Sequence, residues 1–235
     1  MDILAIASVG MQRDLARMDS ISHNVANVLT PGFKRQVAIA DAFDVQMSGA
    51  VANAQRTARV AIDPSAGPMR YTGNAQDVSV EGDGFFEVAT PQGPAYTRHG
   101  SLHVDVQGRL AVANGMPLMS TSGEFRLANA PFTISANGDV MQDGRLAGRL
   151  KLVSFDNSAE LVAAGAGLYR TGGALPQEHR YGGTLRVGFV EGANVSTPQE
   201  MVRLTETVRH FESLQKLVQG YDDTLEKTIR KLGDF

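Results

Sequence analysis

Met18-Asp-Ser-Ile-Ser-His-Asn-Val-Ala-Asn-Val-Leu-Thr-Pro-Gly-Phe-Lys-Arg-Gln36 is the stretch whose reading decides the fold. Its first half continues an amphipathic helix. Its second half stops that helix at Thr30-Pro31-Gly32, because proline lacks an N–H and disfavours a helical residue before it, while glycine readily takes positive φ. Phe33-Lys34-Arg35 then sets an aromatic beside two cations. A helix that stops hard and hands over to different sequence is a junction, and its meaning depends on what lies on either side.

Upstream, Leu4, Met11, Met18 and Val25 recur every seven residues, with Ala7, Ile21 and Val28 three further on and Leu15 four beyond Met11. This is a coiled-coil-like stripe with one flaw, Asp14. At the far end, Thr197-Pro198-Gln199-Glu200 reads as a capping box with Thr197 as N-cap. Leu204, Phe211, Val218, Leu225 and Leu232 follow at seven-residue spacing. Met201, Val208 and Ile229 hold complementary positions, Leu214, Leu217 and Tyr221 widen the stripe, and Gly233 ends it. Such a helix is about 50 Å long at a rise of about 1.5 Å per residue.

Between the helices the patterns change. Residues 31–70 show no firm period and read as an extended connector, with a short helix around Ala38–Gln46. From residue 71 short alternating runs appear: Asp77–Glu81, Phe85–Ala89, Tyr96–Arg98, Leu102–Val106, Leu110–Val112, Phe132–Ile134, Arg149–Phe155, Leu168–Arg170 and Leu185–Phe189. Gly-containing turns such as Asn114-Gly115, Asn137-Gly138 and Asp143-Gly144 punctuate them, as tight antiparallel hairpins require. The expected fold is α+β: an N-terminal helix (1–30), the connector (31–70), a central antiparallel β-rich domain (71–195) and a C-terminal helix (196–235). The two helices pair as an inner coiled-coil-like domain. Two helices make a thin core, so their remaining apolar faces are expected to be buried on neighbouring molecules.

Composition narrows the function. Of 235 residues, 43% are hydrophobic, enough for a core, while a 6% aromatic share without Trp argues against an aromatic-lined sugar or nucleic-acid site. The net charge of −3, with cations spread out, argues against nucleic acid as a partner. Zero cysteines exclude disulfides, thiolate metal sites and a cysteine nucleophile. The N-terminus lacks a basic region and a clean cleavage site, and no apolar run is long enough to span a membrane, so no signal peptide and no direct membrane insertion are expected. His23, His99, His103, His179 and His210 are scattered; no metal site, cofactor or catalytic residue is expected. Gly82-x-Gly84 lacks the rest of a phosphate loop and reads as a hairpin turn.

Several motifs, in order along the whole chain, resemble the axial proteins of the bacterial flagellar rod and hook: Ile21-Ser-His-Asn-Val-Ala-Asn-Val-Leu-Thr-Pro-Gly-Phe-Lys-Arg35, Asp77-Val-Ser-Val-Glu-Gly-Asp-Gly-Phe-Phe86, Tyr96-Thr-Arg-His-Gly-Ser101, Gly108-Arg-Leu110 with Asn114-Gly115, and Glu191-Gly-Ala-Asn-Val195. His23, His99, Leu29 and Ala193 depart from the family's usual residues. Chain length, with Arg149–Val153, Gly167–Arg170 and Arg209–Glu212, is more similar to the proximal than to the distal rod branch. The resemblance implies a non-enzymatic structural subunit that polymerises into a helical, torque-transmitting tube. It also implies export through the flagellar type III apparatus without a cleaved signal, a basal-body location spanning the periplasm, and partners among itself and the other rod and hook proteins. Asn24 and Asn27 are then expected to hydrogen-bond to neighbouring subunits, and Phe33 and Lys34 to contact them just outside the helical layer. A secreted hydrolase on a β scaffold would need a clustered nucleophile and base, which the sequence does not offer; a membrane-associated adaptor with coiled-coil ends would be fully helical as a monomer.

Overall fold

The computed structural model describes residues 3–39, 59–128, 130–178 and 185–233. The chain forms two compact units: a helical one (Met1–Val25, Gln36–Val60 and Ser196–Phe235) and a β one (Ala26–Arg35 and Ala61–Val195). The fold is α+β. Residues 26–35 belong with the β unit, so the stretch after the helix is not part of a free connector. Gln36–Ile39 is a strand, so the chain there is extended; the rest of the short helix expected around Ala38–Gln46 lies outside the described residues.

The β unit is built around a six-stranded antiparallel sheet. Its order is Val162–Gly165, Leu168–Arg170, Gly93–Thr97, Phe85–Thr90, Leu152–Phe155 and Pro176–Glu178. Because successive side chains on a strand point to opposite faces, neighbours in sequence feed two different cores. Phe86, Val88, Ala95, Leu152 and Leu168 join a large aliphatic cluster with Val78, Val80, Leu110, Val112, Leu118 and Leu185. Phe85, Tyr96, Val153, Phe155 and Tyr169 join a smaller aromatic cluster with Ile62 and Leu161. There Phe85 meets Phe155 edge-on at 5.6 Å and Tyr169 at 6.0 Å, and Tyr96 meets Phe155 at 4.8 Å, the offset geometry aromatic quadrupoles favour.

Most expected strands form within a residue or two of their predicted bounds. Two expected strands are instead broken. Arg149–Phe155 divides into Arg145–Arg149 and Leu152–Phe155, with Leu150 bridging to Ser120. Leu185–Phe189 divides at Gly188, whose φ of 82° turns the chain. Leu185–Val187 then pairs with Val78–Val80, and Phe189–Glu191 with Met69–Tyr71. Asp143 (φ 51°) and Gly144 (φ 73°) form the tight turn expected of Asp-Gly, with Gln142 opposite Arg145.

In the helical unit, α1 spans Ile3–Ala26 and α2 spans Thr197–Gly233. Among the described residues no helix is long and apolar enough to cross a membrane. The first hydrogen bond of α2 runs from the Glu200 N–H to Ser196 O at 3.0 Å. Ser196 is therefore the cap, one position before Thr197.

The hairpin turn at Ala166-Gly167 carries a left-handed alanine (φ 51°), a conformation its Cβ disfavours. Ala166→Asn supplies the residue such turns prefer, and should raise stability to urea by about 0.5–1 kcal/mol; a loss of stability would contradict this turn geometry.

Candidate functional site

The terminal helices pair antiparallel, with a register marked by three contacts. Asn24 Nδ2 donates to Glu200 Oε2 at 3.3 Å, His210 Nδ1 lies 2.6 Å from Asp14 Oδ2, and Gly10 stands against the Leu214 side chain. One number falls as the other rises, so the start of α1 comes level with about Tyr221, given the common rise per residue. The rest of α2, Asp222–Gly233, continues past the end of its partner. Every side chain from Asp222 to Lys231 is exposed, whereas Glu200 and Thr207 are buried and Leu204, Phe211, Leu214, Val218 and Tyr221 are half-buried.

On α1 the buried line is Ala7, Asp14 and Ile21, at heptad spacing. The apparent flaw at Asp14 is thus a polar pairing, with Asp14 buried and His210 exposed at the edge of the seam. Asn24 is fully buried and its amide is committed within the chain. Its Oδ1 accepts from the Gln36 N–H at 2.7 Å, and its Nδ2 donates to Gln36 O at 2.9 Å as well as to Glu200. One side chain thereby reproduces a rung of a strand ladder and fixes where the chain re-enters the helical unit. The expectation that Asn24 bonds to neighbouring subunits is corrected: its donors and acceptor are already used.

In the β unit, the residues after the helix break enter a buried polar clasp. Gly32 takes φ 69°, and a Cβ there would stand 2.4 Å from the Arg98 carbonyl carbon, so only glycine lets the backbones approach. Its N–H donates to Glu191 O at 2.8 Å. Lys34 Nζ donates to Glu191 Oε1 and to Ser65 O, each at 2.7 Å, and the Lys34 N–H donates to the Tyr169 hydroxyl at 2.7 Å. Arg98 reaches Glu191 Oε2 at 3.3 Å and the carbonyls of Val80 and Gly82, with its guanidinium 4.8 Å from the Phe85 ring centroid. Gly67 N–H supplies a further donor to Glu191 Oε1 at 2.9 Å. Asn194 laces the rim: it accepts from the Arg35 N–H at 2.6 Å and donates to Asp63 O and Ser65 O.

Lys34, Glu191 and Arg98 are at most 2% exposed. Burial holds the Lys34 ammonium below the usual lysine range; Glu191 pulls it back up and Arg98 pushes it further down. Burial pushes the Tyr169 phenol well up, so it is a neutral acceptor here. One carboxylate therefore serves two cations in a buried site, where an unpaired charge is very costly.

Of the eighteen side chains expected at subunit contacts, the seventeen that are described fall into three groups. Ile21, Asn24, Phe33 and Lys34 are buried in their own chain. For Phe33 and Lys34 this corrects the expectation of contacts outside the helical layer: the Gly32 turn drives them into the β unit. Leu4, Met11, Met18, Val25, Asn27, Val28, Leu204, Phe211 and Val218 are half-buried. Leu15, Val208, Leu225 and Ile229 are exposed, Leu15 at 55% and Ile229 at 67%, and the Leu232 side chain lies outside the described residues. Arg98, Tyr169, Glu191 and Asn194 were not singled out in advance as a site. A charged Arg98 directly after the strand that ends at Thr97 was a signal, but its partner lies 93 positions away.

Glu191→Gln should destabilise the β unit by about 3–5 kcal/mol, because it leaves two buried cations facing each other; urea unfolding would show it as a lower midpoint. Asn24→Ala should leave that midpoint unchanged while raising protease susceptibility in α1, at a cost of about 1–3 kcal/mol for the unsatisfied groups.

Two family models match the chain: "Flagellar hook protein FlgE/F/G D1 domain" over residues 79–142 and "Flagellar basal body rod FlgEFG protein C-terminal" over residues 186–231. The flagellar basal-body rod protein FlgF of Escherichia coli is 33% identical over 223 residues, covering 85% of this chain and 86% of its own. FlgF of Mesorhizobium japonicum is 30% identical over 224 residues, covering 92% of each chain. FlgG of Bacillus subtilis is 28% identical over 253 residues, covering 94% of this chain and 95% of its own. At this identity and coverage, this chain belongs to the flagellar basal-body rod protein family.

Proposed function

We propose that this rod subunit polymerises through its helical unit into a helical tube that carries motor torque, with itself and the other rod and hook proteins as neighbours. The observation that carries the reading is the apolar surface left on the paired helices: Ile6 and Leu15 on α1, and Met201, Val208, Leu217, Leu225 and Ile229 on α2, are all exposed. Two helices cannot cover all of this themselves, and the dozen or so residues at the α2 tip are too few to hold a stable helix alone in water. Lateral packing by neighbours supplies the missing cover, and many such contacts give a tube the stiffness torque requires. Leu15, Val208, Leu225 and Ile229 are the leading interface residues; the half-buried positions, Asn27 among them, flank them.

The reading extends to a non-enzymatic subunit with no nucleic-acid partner and no membrane insertion, exported without a cleaved signal through the flagellar type III apparatus and assembled across the periplasm. Within the rod the proximal position is favoured. The FlgF alignments run over 223–239 positions, close to this 235-residue chain, whereas the FlgG alignments run over 253–259 and need insertions.

Leu225→Glu with Ile229→Glu should leave the thermal unfolding of the β unit unchanged and abolish motility and incorporation into rods in a strain lacking the native subunit. Normal motility from this variant would refute assembly through the α2 tip. Deletion of residues 3–25, which spares the clasp, should likewise leave a folded β unit that does not assemble.

A further inference from the structure

The apolar core and the polar clasp become complete at different points along the chain. Among the described residues, both apolar clusters are drawn from between Ile62 and Leu185. The carboxylate that neutralises Lys34 and Arg98 lies beyond all of them, at Glu191. Lys34 lies 157 positions from it and Arg98 lies 93. Packing the core places the Arg98 guanidinium against Phe85, and until Glu191 arrives neither Arg98 nor the incoming Lys34 has, among the described residues, a carboxylate bonded to it. Of the other ionisable groups that act on the pair, Asp63 and Asp83 do so only at longer range, and Tyr169 is neutral. Hydrophobic collapse is thus opposed at one site until the chain beyond the core has been delivered. Closing so long a loop is slow as well, because its entropy is lost before the contact rewards it.

We propose that the Lys34–Glu191–Arg98 clasp is a closure checkpoint: the β unit reaches native packing only in the step in which Glu191 enters between the two cations. The checkpoint tests chain completeness. A chain that has delivered every residue of both apolar clusters still stays open, and it closes when the segment leading into α2 arrives with the keystone. Gly32, Lys34 and Gly67 report the event directly, since their N–H groups donate to Glu191 O, Tyr169 Oη and Glu191 Oε1. An apolar replacement of all three charged groups removes the requirement, as a buried ion network exchanged for hydrophobic side chains no longer needs its partners in register.

The test is pulse-labelling hydrogen exchange on the full chain refolding from urea. The amides of Phe85–Thr90 and those of Gly32, Lys34 and Gly67 should gain protection in one phase. Full protection of Phe85–Thr90 in an earlier phase than Gly67 would overturn the checkpoint. Refolding followed by tyrosine fluorescence, in a chain without tryptophan, gives a second readout. Glu191→Gln should refold at least tenfold more slowly, and Lys34→Met/Arg98→Met/Glu191→Met faster than the native sequence. Should the triple variant refold no faster, or Glu191→Gln change only the unfolding rate, the proposal fails.

Discussion

A single carboxylate, Glu191, holds two buried cations that would otherwise repel. Lys34 arrives from the segment after α1, Arg98 from the loop following a central strand, and Glu191 from the last strand before α2. Neither cation is tolerable in a buried site without it. Its backbone carbonyl also receives Gly32, so one residue fixes both the path and the charge of the incoming segment. The hard stop at Thr30-Pro31-Gly32 follows from this geometry: the helix ends so that the next residues can be driven into the β unit rather than along its surface.

The two units divide the labour of stability. The β unit has apolar clusters on both faces of its sheet, tied by the clasp, and so holds itself together. Among its described residues, the helical unit has a seam between two helices with polar pairings at Asp14–His210 and Asn24–Glu200. Polar groups in a narrow seam contribute little net energy but fix register, because each misalignment leaves one of them unsatisfied. A seam that specifies alignment while leaving apolar residues exposed on its outer faces is suited to being completed by neighbours.

Sequence periodicity reached the architecture and most of the site's parts, but not their partners. Alternation and Asn-Gly or Asp-Gly turns located the strands, since both are local properties. Heptads located the helices and correctly singled out Asp14 as a non-apolar member of the stripe; that it faces His210 depends on an antiparallel register no local pattern contains. Phe33 and Lys34 stood out as an aromatic and a cation after a break, yet their direction was misjudged. A lysine is ordinarily solvated, and the carboxylate that pairs with this one lies 157 positions away. For the same reason Asn24 looked available to neighbours: its consumption by Gln36 requires the chain to double back, a tertiary fact.

Amide hydrogen exchange of α2 in the free subunit and in assembled rods tests the division between a self-held body and neighbour-completed helices most directly. In the free subunit, amides of Asp222–Gly233 should exchange near the unfolded rate while the Phe85–Thr90 strand is protected. In rods both should be protected. Strong protection of Asp222–Gly233 in the free subunit, or its continued fast exchange after assembly, would contradict the account.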